Sequence, residues 1–216
     1  MATQQEHLQD LREIRALMER SSRFIGLSGL SGVAAGICAL VGASFVYSYL
    51  EIQPFQYEHD YFYYNKALKA TKWGLDYKEF LLIAGTCTAL SAIILGVLFT
   101  TRRAKQKGQT IWDKTALRLL ANLAIPLATG GFFCLALLEH GSVGYIAPAT
   151  LVFYGLSLVN GSKYTLHDVF YLGLAEIALG LLAMFMLGYG LEFWAIGFGV
   201  LHIIYGAMMY FKYERD

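Results

Sequence analysis

The amino-acid sequence predicts an all-α integral membrane protein, a six-transmembrane-helix bundle built from three helical hairpins with N and C termini cytoplasmic. Three observations predict it. Six apolar runs, 24–50, 81–100, 119–138, 143–159, 169–187 and 193–211, together hold one carboxylate, Glu176, and no Lys or Arg. Each run is close to the roughly 20 residues that a helix needs to cross a hydrocarbon core of about 30 Å. Basic residues are divided unequally between the two sets of connections. With 56% apolar and 15% charged residues and a mean hydropathy of +0.47, the 216-residue chain is too apolar for a soluble domain of this size. The ten-residue alternating strands of a membrane barrel are not visible.

Residues 1–23 read as a cytoplasmic amphipathic helix. Leu8, Leu11, Ile14 and Met18, with Leu17 beside them, recur at helical spacing among Glu, Gln, Asp and Arg. Such a helix lies on the inner leaflet, docks a cytoplasmic protein partner, or packs back on the bundle. A polar, charge-bearing stretch of more than twenty positions before a long apolar run predicts an uncleaved first span. The membrane domain then covers 24–211, and 212–216 form a cytoplasmic tail.

Arg12, Arg15, Arg20, Arg23, Arg102, Arg103, Lys105, Lys107, Lys114, Arg118, Lys163, Lys212 and Arg215 fall on one side of a six-span chain. Lys66, Lys69, Lys72 and Lys78 fall on the other, in a loop where Glu51, Glu58, Asp60, Asp76 and Glu79 outnumber them. The larger set marks the cytoplasmic side of a cell membrane, with a bacterial inner membrane as the expected address. The Asn-Gly-Ser pattern at Asn160 then reads as a cytoplasmic turn and not as a glycosylation site.

The outer loop, 51–79, is crowded with Phe55, Tyr57, Tyr61, Phe62, Tyr63, Tyr64, Trp73 and Tyr77. It is either an interfacial aromatic belt or, with Glu58, His59 and Asp60, a binding surface. Glu139–Ser142 and Gly188–Glu192 are short connections, so runs three and four, and five and six, are expected as hairpins packed side by side. A partial internal likeness links Gly29 and Gly36 to Gly173 and Gly180, Tyr154-Gly155 to Tyr205-Gly206, and Lys163-Tyr164 to Lys212-Tyr213, at offsets that do not agree with one another.

Within the first run, Gly26, Gly29, Gly32 and Gly36, continued by Ala39 and Ala43, form one small-residue stripe. It predicts close helix packing, within the chain or in a homo-oligomer. Cys38, Cys87 and Cys134 read as small apolar packers. Pro126 and Pro148 each remove a backbone donor inside a run and are expected to bend it. Asn122, one turn before Pro126, is placed to bind the freed backbone or a facing helix, with substrate contact as the alternative.

Glu176 and His202 are the candidate site. Glu176 lies thirteen residues before, and His202 thirteen residues after, a turn centred near Tyr189, and so both lie at one depth. Gly173 and Gly180 flank Glu176, and Gly199 and Gly206 flank His202, at minus three and plus four. Each side chain is therefore expected to face a closely apposed helix in the bundle interior. An intramembrane acid beside an imidazole can hold or pass a proton, or it can fix helix register. Glu139-His140 and His167-Asp168 read as solvated caps, with Asp168 suited to a helix N-terminus.

Several function classes are disfavoured. A net charge of +1 gives no basis for nucleic-acid binding. No phosphate-binding loop, His-Glu-x-x-His, Gly-x-Ser-x-Gly or haem-ligand histidine pair is present, so neither an enzyme, a metal nor a cofactor is expected. Two readings remain beside the lipid bilayer as obligate partner. One is a small-solute or ion transporter or channel using Glu176 and His202, in a homo-oligomer because six short helices leave limited room for a private pathway. The other is a non-transport scaffold, sensor or accessory subunit. The glycine-rich first run and compact hairpins resemble small bacterial inner-membrane proteins in style, without a shared motif that would carry over a functional residue.

Overall fold

The computed structural model describes residues 28–55, 71–106 and 113–215. Six helices are long and apolar enough to cross a membrane: α1 Gly29–Leu50, α2 Tyr77–Gln106, α3 Lys114–Glu139, α4 Val143–Tyr164, α5 Asp168–Phe185 and α6 Leu187–Tyr213. They suggest a multi-pass membrane protein. Among the described residues there is no strand, only an isolated bridge between Lys72 and Leu75. The expected helix over 1–23, Gly26 of the small-residue stripe, and Tyr57 to Tyr64 with Glu58, His59 and Asp60 lie outside the described residues.

Helix ends depart from the apolar runs for local reasons. α2 begins four residues before the run at Leu81, because Asp76 and Glu79 form a reciprocal cap: the Glu79 amide donates to Asp76 Oδ1 at 2.8 Å and the Asp76 amide to Glu79 Oε2 at 3.1 Å. α3 begins after Asp113, whose Oδ1 accepts the Ala116 amide at 2.6 Å. The fifth and sixth helices are separated by Met186 alone, so Glu192 lies inside α6 and is 4% exposed, where the sequence placed it in a turn. Asn160 sits in the last α-helical turn of α4, not in the connection after it. Pro148 lies in the first turn of the α-helical part of α4, Ile146–Gly161, where a missing N–H removes no α-helical hydrogen bond.

The two ends of the described chain meet. The Ser28 hydroxyl donates to Glu214 Oε2 at 3.2 Å, and the Gly29 amide donates to Glu214 Oε1. Glu214 thus supplies the carboxylate that the α1 N-terminus lacks in its own sequence. Arg103 of α2 closes the cluster, with Nη1 3.3 Å from Glu214 Oε1 and Nη2 donating to the Tyr213 carbonyl at 3.1 Å. At the opposite end Tyr49 stacks on Phe80 at 3.9 Å beside Trp73 and Tyr77. There Lys72 donates to the Ser48 carbonyl at the end of α1, and its hydrogen bond to Glu51 holds that carboxyl below its usual range.

Packing between helices does not follow the three expected hairpins throughout. α1 packs on α2 and α3 on α4, but the principal partner of α6 is α1, while α5 lies chiefly against α4. The reason is glycine. A Cβ on Gly36 would stand 2.6 Å from the Gly199 carbonyl oxygen, one on Gly155 2.6 Å from that of Gly173, and one on Gly180 2.9 Å from that of Pro148. Backbones that approach this closely maximise van der Waals contact, which drives association in an apolar medium.

The two close pairs share one contact pattern. Gly29 meets Gly206 and Tyr210, as Gly173 meets Gly155 and Val159; Gly36 meets Gly199 and Ile203, as Gly180 meets Pro148 and Val152; Gly206 meets Val33, as Gly155 meets Ile177. α1 therefore corresponds to α5, as Gly29 does to Gly173, and α6 to α4, as Gly206 does to Gly155. The two sequence offsets differ because the equivalent helices occur in opposite chain order. Lys163-Tyr164 and Lys212-Tyr213 do not share the register of the Gly155 and Gly206 pair.

Candidate functional site

Glu176 stands two turns into α5, where the α4–α5 pair meets α6, and is 0% exposed. Its position corresponds to Gly32 of α1, the next member of the stripe, so α5 carries an acid where α1 carries no side chain. The carboxyl fits against α6 at Gly197: a Cβ there would lie 3.3 Å from the Glu176 carboxyl carbon and 2.5 Å from Leu151 Cδ2 of α4. Among the described residues neither Glu176 oxygen takes a hydrogen bond. A buried, unfilled acceptor costs about 1–3 kcal/mol or more, which is why such groups call for a chemical explanation.

His202 faces this acid from α6, with Nδ1 3.4 Å from Glu176 Oε1. Nδ1 also lies 3.0 Å from the Gly197 carbonyl oxygen, and Nε2 lies 2.7 Å from the Tyr154 hydroxyl of α4. One tautomer satisfies both bonds: Nδ1–H donates to Gly197 and the Tyr154 hydroxyl donates to Nε2. Phe198 lies nearly parallel to the imidazole at 5.9 Å and close to Tyr154 at 4.8 Å, walling the ring in. The segment Ala195–Leu201, which carries Gly197 and Phe198, is π-helical. The wider turn changes the phase between the two halves of α6, and such bulges occur frequently at functional sites.

The flanking glycines lie against closely apposed helices, as expected, and the structure names the partners. Gly173 and Gly180 pack on α4, and Gly199 and Gly206 on Leu40, Gly29 and Val33 of α1. They clamp the helices that carry Glu176 and His202 rather than bringing those two helices together. Gly32 and Gly36 belong to the α1–α6 contact as well.

Asn122 is part of a second polar contact, between α3 and α4. Pro126 has no amide to give the Asn122 carbonyl, and Asn160 Nδ2 donates to that oxygen at 3.1 Å and to Asn122 Oδ1 at 3.0 Å. One turn away, the Ser157 hydroxyl donates to the Leu123 carbonyl at 2.8 Å. Asn122 Nδ2 donates to the Arg118 carbonyl in its own helix at 2.8 Å. This is a repair of the proline gap, set apart from the Glu176 site.

Of the two pairs expected near the helix ends, Glu139 meets Lys78 at 3.1 Å. Asp168 accepts from Lys212 at 3.0 Å and from the Tyr213 hydroxyl at 2.8 Å. The three cysteines are free, and no metal-binding cluster is found among the described residues. Sequence reasoning did not single out Tyr154, Gly197, Glu192, Arg103 or Glu214. The Tyr154 and Gly197 roles depend on the rotational phase of α4 and on the π-helical turn, and neither has a local sequence signal. The chain matches no protein-family model, no curated protein and no solved structure.

Proposed function

We propose that this chain is a multi-pass protein of a bacterial inner membrane, with both termini cytoplasmic, that acts as a small-solute or ion carrier or channel through a proton-holding site at Glu176, His202 and Tyr154. The observation that carries the reading is the Glu176 carboxyl, fully buried, without a hydrogen bond, and 3.4 Å from an imidazole whose other nitrogen is held by a tyrosine. Such a group is expensive unless it is protonated, hydrated or paired with a cation, and intramembrane carboxylates concentrate where ions or protons move. A bilayer setting is supported by the apolar exterior, where Phe132, Phe185, Ile125 and Met208 stand 65% or more exposed. Orientation rests on the thirteen basic residues on the side of the chain ends against four on the other.

The imidazole is suited to moving a proton in one direction at a time. When the Tyr154 hydroxyl takes up one proton and gives its own to Nε2, the ring becomes an imidazolium, which can release the Nδ1 proton to a Glu176 carboxylate and is left neutral as the Nε2–H tautomer. The test is proton movement, with or without added solutes, in vesicles carrying the purified chain. Wild type is expected to dissipate a pH gradient, and Glu176→Gln to abolish this while remaining helical and monodisperse. Equal rates in protein-free vesicles and in both proteins would remove the reading.

The complete enclosure of Glu176 favours one second reading, a non-transport scaffold or sensor in which the pair fixes the meeting of α4, α5 and α6. Its contact with a cytoplasmic partner would run through residues 1–23. Deleting residues 1–20 would then abolish capture of that partner, with the bundle unchanged.

A further inference from the structure

A line of ionisable and hydroxyl side chains runs from the end of the bundle where the chain ends meet up to Glu176. At that end Asp168 is 29% exposed and bound to Lys212 and to the Tyr213 hydroxyl. At the middle of the bundle stand Tyr154, His202 and Glu176. Tyr205 of α6 lies between the two groups. It is one helical turn beyond His202 in the direction of Tyr213, and packs with Tyr154 on the buried cluster Leu158, Val169 and Leu172. Tyr213, whose hydroxyl binds Asp168, stands about two turns further along the same helix. Its hydroxyl is buried and takes no hydrogen bond.

We propose that Tyr205 is the relay residue that joins the Asp168 end of the bundle to the buried pair, so that Glu176 exchanges its proton with that side. The inference rests on the reading of Glu176 as a proton-holding site. Asp168, or solvent beside it, supplies a proton to the Tyr205 hydroxyl, directly or through one water. Tyr205 gives its own proton to the Tyr154 oxygen, Tyr154 gives its own to His202 Nε2, and His202 releases the Nδ1 proton to the Glu176 carboxylate. Each hydroxyl ends protonated as it began, His202 ends as the Nε2–H tautomer and must return to the Nδ1–H form before the next transfer, and one proton has moved from the Asp168 end to Glu176. A hydroxyl with no fixed partner can turn toward either neighbour, whereas one locked in a strong hydrogen bond would have to break it first. Toward the opposite end, α6 offers Glu192, whose Oε1 is 3.4 Å from the Phe55 amide, and then an apolar interval with no hydroxyl before Gly197. Along α6 the connection is therefore one-sided.

The test uses the full chain reconstituted in oriented vesicles, with the carbonyl stretch of the protonated Glu176 carboxyl followed by time-resolved infrared spectroscopy after a pH jump on one side. Loss of the band in Glu176→Gln identifies it. The expected result is a response to jumps on the side of the chain ends, slowed about a hundredfold in Tyr205→Phe, the lower range of what a positioned proton-transfer group contributes. Tyr205→Phe removes one oxygen and keeps the ring, so its equilibrium band should remain. A wild-type rate in Tyr205→Phe would overturn the relay and leave the Glu176 reading standing. A wild-type response confined to jumps on the opposite side would overturn it without any variant. A band that responds to neither side would remove the relay and the proton-holding site together.

Discussion

Glu176 of α5 and Gly197 of α6 occupy the same gap, the carboxyl of one filling the space that a side chain on the other would need. Leu151 fills the remaining side and is 0% exposed, so the gap has no slack. Gly197→Ala is therefore expected to destabilise the protein by about 1–3 kcal/mol, the usual cost of an added methyl in a filled core. It should also shift the infrared band of the Glu176 carboxyl. Thermal unfolding in detergent micelles reads the first effect, and an unchanged midpoint with an unchanged band would mean the gap is wider than the contacts indicate.

The glycines divide into two groups with opposite expected outcomes. A methyl on Gly155 would meet the Gly173 carbonyl oxygen and the Ile177 backbone amide, and one on Gly206 would meet the backbone of α1, so Gly155→Ala and Gly206→Ala must push helices apart and destabilise. Gly85, Gly96 and Gly131 have nothing within 4 Å of an added Cβ. Alanine at these helix-interior positions should stabilise by up to about 1 kcal/mol through backbone entropy. Unfolding midpoints of the five variants check the ordering.

At the proline gap in α3, Asn160→Leu leaves the Asn122 carbonyl and side chain without their partner. The expected cost is about 1–3 kcal/mol. Restoring the backbone donor with Pro126→Ala should reduce that cost, and a double-mutant cycle on Asn160 and Pro126 measures the coupling. Additive effects would show that Asn160 does not serve the freed carbonyl.

Arg103→Met removes the cation from a nearly dry pair, side chains 6% and 10% exposed, and strands Glu214 with only the α1 N-terminus. Loss of one partner of a buried pair typically costs about 3–5 kcal/mol. Arg103→Met combined with Glu214→Gln should recover part of this, because a neutral amide oxygen still accepts from Gly29. Unfolding in a denaturant series separates the two variants.

The helices were readable from the sequence because each apolar run must satisfy its own backbone in an apolar medium, and only a continuous helix does so. Their ends were less readable. They are set by single residues such as Asp76, Glu79 and Asp113 outside the runs. The common depth of Glu176 and His202 follows from counting outward from one tight turn. Their surroundings do not, because Tyr154 and Gly197 reach the pair only through the phase of α4 and the π-helical turn of α6. The Arg103–Glu214 pair joins residues that the sequence presents as one charge in a basic cluster and one in a tail. Pairing of α1 with α6 was hidden for the same reason: glycine spacing predicts a close approach and does not name the partner helix.

The central claim is that Glu176 takes up and releases a proton inside the bundle. An equilibrium pH titration of its carboxyl band in the reconstituted full chain, with Glu176→Gln as the blank, tests it most directly. The account predicts a band that is present at low pH, disappears as pH rises, and is missing throughout in Glu176→Gln. A difference spectrum between the two proteins with no carboxyl band at any pH that leaves the fold intact would contradict it.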